Sequence, residues 1–115
     1  MFVTLSVAAM LSMAAGSGNA MENARTVYSN CIVENTIPHL GQKTAEKDFS
    51  KAVKSWCQDE QKTFFSAVVA SEMAEGLTQK EAQEVAKEEI DLTIEDSVVN
   101  YADHLAAGTL PVKEG

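Results

Sequence analysis

Cys31 and Cys57 are the two residues of this chain with the most chemistry available to them. They are its only cysteines and lie 26 positions apart. In an oxidising compartment such a pair forms a disulfide. Closing a loop of that size restricts the unfolded chain by roughly 3.5 kcal/mol. No C-x-x-C is present, so a thioredoxin-like redox site is not indicated. Two cysteines with His39 and His104 do not make zinc-finger spacing. Buried free thiols and an intermolecular bridge are the alternatives.

Glu60 shares a helical stripe with Val53, Trp56 and Phe64, which makes it the candidate buried carboxylate. The competing reading puts it at the stripe's edge, beside Lys62, Arg25 or water. The histidines are 65 positions apart, with His104 near a helix end where an imidazolium complements the dipole. The acids of the last segment (Glu84, Glu88, Glu89, Asp91, Glu95, Asp96) follow no calcium-loop pattern and read as a solvated face. No serine sits in a nucleophile elbow, and no glycine-rich phosphate loop occurs. The expectation is no catalytic residue, no metal, no cofactor and no enzyme.

The compartment is read from the first twenty residues. Phe2 to Ala15 is apolar apart from Thr4, Ser6 and Ser12. Gly18 and Ala20 then match the small-x-small pattern of a signal peptidase site, which sets the cut between Ala20 and Met21. The run is too short to span a bilayer comfortably. No Lys or Arg precedes it. A first helix that stays attached, or translation from Met21, are the alternatives. The expectation is residues 1–20 as signal peptide, 21–108 as a helical domain and 109–115 as a flexible tail, in a periplasmic or secreted protein with no stable membrane anchor after cleavage.

Three helices are expected in an all-α, disulfide-stapled bundle: about 22–38, 45–74 and 78–106. In the first, Ala24, Val27, Tyr28, Cys31 and Ile32 recur at helical steps. Pro38 and Gly41 are expected to end it between Thr36 and Leu40. In the second, Phe49, Val53, Trp56, Cys57, Phe64, Ala67 and Val68 form the stripe, unbroken until Gly76. In the third, Thr78 and Glu81 make a capping box. Ala86, Ile90, Ile94, Val98, Tyr101 and Leu105 follow at steps of three and four, with Val85, Leu92 and Val99 widening the face. Gly108 ends it. In an antiparallel hairpin the cysteines come level only if the second helix starts late or the first continues to Leu40.

The arrangement Tyr28-x-x-Cys31 followed by Trp56-Cys57-x-x-Glu60 resembles a loose group of small exported bacterial proteins with two cysteines in a helical hairpin. The resemblance covers residues 28–60 and implies a Gram-negative periplasm. That group carries no assigned activity, so none is implied for this chain.

A net charge of −8, with every charged residue after position 21, disfavours nucleic acid as a partner. It suits a protein partner with a basic patch. Three readings follow. The first is a non-catalytic interaction protein of the cell envelope (chaperone, inhibitor or immunity-like), with an exposed apolar patch flanked by carboxylates. The second is a bundle binding a small apolar ligand, and the third a structural module that forms a homodimer through its last helix.

Overall fold

The computed structural model describes the backbone from residue 2 to residue 115 and side chains from Asn19 onward. The expected signal peptide over 1–20 therefore lies, up to residue 18, outside the residues whose side chains are described. Among the described residues the regular structure is all helical, in four elements where three were expected: α1 (Phe2–Gln42), α2 (Glu46–Val53), α3 (Gln58–Ala74) and α4 (Gln79–Ala107).

The first departure is at Pro38. The helix was expected to stop before Leu40, yet α1 carries Pro38 inside it and continues to Gln42. A proline there removes one backbone bond and crowds the preceding turn, at a cost of about 3 kcal/mol. Tertiary contacts hold the next turn in place. Leu40 is buried, and the His39 ring packs on Trp56 at 5.1 Å. The terminator is Lys43 rather than Gly41. Lys43 takes φ 54°, and the Lys43 and Thr44 amides donate to the Leu40 and His39 carbonyls at 3.2 and 3.1 Å. These two bonds make a Schellman closure with a non-glycine residue at its left-handed position.

The second departure is the split of the expected helix 45–74. No Gly or Pro marks the break. The chain leaves α2 after Val53, turns through residues 54–56, and enters α3 from Cys57 at φ 57°. The break and the extension of α1 together bring the cysteines level. Cys31 and Cys57 are joined, with their Cα atoms 6.2 Å apart. Both Cys31 from the end of α1 and Cys57 from the start of α2 lie roughly 17 Å along the chain at about 1.5 Å per helical residue.

Other boundaries follow local chemistry. Gly76, at φ 108°, ends α3 with the Leu77 amide on the Glu72 carbonyl, and Gly108, at φ 69°, ends α4. Thr78 caps α4. Its hydroxyl accepts the Glu81 amide at 3.2 Å, while Glu81 accepts the Thr78 amide at 3.0 Å. The Thr78 amide, then its hydroxyl, hold the Glu81 carboxyl below the ordinary carboxylate range.

The core lies where α1, α3 and α4 meet, with α2 closing one end. Phe49 stacks on Tyr101 with centroids 3.9 Å apart and meets Trp56 edge-on at 5.4 Å. Each aromatic pair adds about 0.5–1.5 kcal/mol beyond its burial. The Tyr101 hydroxyl lies 2.6 Å from the Thr44 carbonyl, which ties α4 to the α1–α2 turn. Tyr28 packs on Phe64 and accepts a hydrogen bond from Gln61 at 3.1 Å. Burial raises the Tyr28 phenol above its ordinary range, and the Gln61 bond offsets this in part. Among the described residues every buried side-chain polar atom has a partner.

Candidate protein-binding surface

The disulfide sits half-buried between α1 and the start of α3. Asn35 donates to the Cys31 carbonyl at 2.9 Å, and its amide also lies near both sulfurs. Glu60 is half-buried in the first turn of α3, where its charge complements the helix dipole. Its carboxylate oxygen and the two sulfurs lie within 4.8 Å of one another. Each sulfur is bonded to the other and has no thiolate to offer a cation. This corner is a structural joint with an acid beside it.

The histidines take different partners. His39 Nδ1 is 2.9 Å from the Thr44 hydroxyl, with its ring among Phe49 and Trp56. His104 Nδ1 is 2.8 Å from the Thr109 hydroxyl, at the end of α4. At the expected cleavage point Ala20 is exposed, Met21 packs against the core, and α1 runs through both.

The surface of α4 departs from expectation in an informative way. The stripe does turn inward: Ala86, Ile90 and Tyr101 are buried, while Ile94, Val98 and Leu105 pack against them. Leu92 and Val99 do not widen that buried face. They are 47% and 55% exposed, and only Val85 of that trio reaches the core. Residues seven apart on a helix stand nearly above one another, so Leu92 and Val99 form an outward apolar ridge. Glu88, Glu95 and Asp96 stand beside it, all exposed.

Next to that ridge a cleft of about 400 Å³ opens between α2 and α4. Ile94, Val98 and the Val99 of the ridge give it apolar lining; Asp91 and Glu95 line it from α4, with Ser50 of α2 and Lys54, just past the end of α2, on the other side. The cleft arises because α2 is short. α2 buries Phe49 and Val53, then turns away at Lys54 and leaves this flank of α4 uncovered. The residues of this cleft were not legible in the sequence, because the break at 54–57 that exposes it carries no local signal.

Among the described residues no helix is long and apolar enough to cross a membrane. Compared with protein-family models, curated proteins and solved structures, the chain matches none.

Proposed function

We propose that this chain is a small exported interaction protein without catalytic activity, which docks a basic amphipathic segment of another protein. The observation that carries this reading is the α2–α4 cleft, where Val99 is exposed and Ile94 and Val98 are half-exposed beside Asp91 and Glu95. The charges of its lining are two carboxylates and one lysine, Lys54, and this acidic excess beside apolar surface favours a partner segment that is apolar and basic. The net charge of −8 adds long-range attraction for a basic partner and repels a second copy of this chain. A homodimer through α4 would set the carboxylates of one copy against those of the other. Binding of a small apolar ligand has less support, because the cleft is open at the surface and the core beneath it is filled by stacked rings.

Export is supported by the Cys31–Cys57 bond, which needs an oxidising compartment to persist. The intact mass of natively produced protein, with and without reductant, tests export and the disulfide together. Docking is tested by affinity capture from periplasmic extract at low salt, comparing the unmodified chain with Asp91→Lys/Glu95→Lys. The reading expects a partner retained by the first and lost by the second, with retention falling as salt rises. The same proteins on both baits would overturn it.

A further inference from the structure

A second cleft of about 400 Å³ lies on a different side of α4, against α1, and the chain itself crosses it. Ser29, Asn30 and Thr36 line it from α1; Ser97, Asn100 and His104 line it from α4. After Gly108 the chain has no helix, and residues 111–114 pass along the mouth of this cleft.

How the segment is held matters more than that it is held. The Asn30 carboxamide makes two hydrogen bonds to one residue. Its Oδ1 accepts the Glu114 amide at 2.9 Å and its Nδ2 donates to the Glu114 carbonyl at 2.9 Å. One position earlier, Lys113 pairs with Glu34. Two of the segment's apolar side chains are not seated, Leu110 at 62% exposed and Val112 at 86%, while Pro111 between them is half-buried against the cleft.

A carboxamide that takes both the N–H and the C=O of one residue supplies what a neighbouring β-strand supplies. It reads an extended backbone and is blind to the side chain it clamps. A helical segment has already used those groups internally and cannot answer it. Glu34 adds a preference for a cation at the preceding position. We propose that the α1–α4 cleft is a binding site for an extended segment of another polypeptide, with Lys or Arg just before the clamped residue, and that residues 109–115 close it in cis as a replaceable strap.

The hold is of the right strength for replacement. An exposed ion pair, two uncharged hydrogen bonds and a long one at 3.5 Å, donated by the Thr26 hydroxyl to the Glu114 carboxylate, contribute little. A tethered segment competes only at its effective concentration, roughly millimolar for a short linker. This site involves none of the α2–α4 residues and stands or falls separately from docking there.

The test loosens the strap in the full chain. Lys113→Glu faces Glu34 with a like charge, and Glu114→Pro removes the amide that Asn30 accepts. Both positions are exposed and outside the helices. A capped, fluorescein-labelled peptide with the sequence of residues 109–115 is titrated and followed by anisotropy. The loosened chain is expected to bind it about tenfold or more tightly than the unmodified chain, since the apparent affinity scales with the open fraction. Adding Asn30→Ala, which favours the helix it sits in, is expected to abolish the gain. Equal binding by loosened and unmodified chains, or a gain that survives Asn30→Ala, would overturn the proposal. Self-association of the unmodified chain that Asn30→Ala abolishes would also overturn it, by placing a second copy's segment in the cleft.

Discussion

Cys31 joins α1 to a residue 26 positions on through a covalent bond, whereas its neighbour Asn30 holds Glu114, 84 positions on, through two hydrogen bonds. Adjacent residues on a helix point about 100° apart, so α1 presents two edges at the same height. One edge is closed by the disulfide and leads into the aromatic core. The other is closed by a strap whose Leu110 and Val112 side chains remain in solvent. The difference teaches that this domain separates what must stay shut from what is able to open, and it does so around one turn of helix.

Breaking the fixed edge gives the largest effect. Phe49 is fully buried between Tyr101 and Trp56. Phe49→Ala is expected to cost about 3–5 kcal/mol in urea unfolding, while the strap contacts of the residual folded fraction stay unchanged. Next comes Cys31→Ser/Cys57→Ser, expected to cost about 3.5 kcal/mol by the same measurement. A loss under about 1 kcal/mol would show that the helix contacts alone fix this edge.

Asn30→Ala sharpens the comparison from the other side. It is expected to change global stability by less than about 1 kcal/mol, yet to release the segment 109–115, seen as narrowed backbone resonances confined to those residues. The smallest effects are in pH dependence. The Tyr28 phenol is raised by burial, so its contribution to stability is full below its unfolded value near 10 and is lost as pH rises through the folded value. Tyr28→Phe is therefore expected to flatten the alkaline fall of stability. The Glu81 carboxyl is lowered by the Thr78 amide and hydroxyl, so its contribution is present above the ordinary carboxylate value and is lost as pH falls through the lower folded one. Glu81→Gln is expected to weaken the acid dependence of unfolding without touching either edge of α1.

Features set by neighbouring residues were legible in the sequence. The Thr78–Glu81 box, Gly76 and Gly108 each need only a few positions of chain, and all three stand where local chemistry puts them. The buried stripe of α4 was legible because periodicity reports burial over many turns. Features set by tertiary contact were not. Pro38 stays helical because Leu40 and His39 are packed beyond it. The break before Cys57 uses a left-handed non-glycine residue, which no composition rule marks. Leu92 and Val99 look like core residues by type, and only the missing cover of α2 shows them to be surface. The cleft beneath the strap joins residues 84 positions apart, and nothing periodic links Asn30 to Glu114. The disulfide was legible as a pair, since two cysteines offer one intramolecular partner.

Native-state hydrogen exchange of the Glu114 amide tests the central contrast most directly, followed against the amides of Phe49 and Phe64 in the same sample. The account predicts weak protection at Glu114, on the order of ten- to a hundredfold and removed by Asn30→Ala, while the core amides exchange only through global unfolding. A Glu114 amide as protected as the core, or one with no protection in the unmodified chain, would contradict a strap that closes and opens over the cleft.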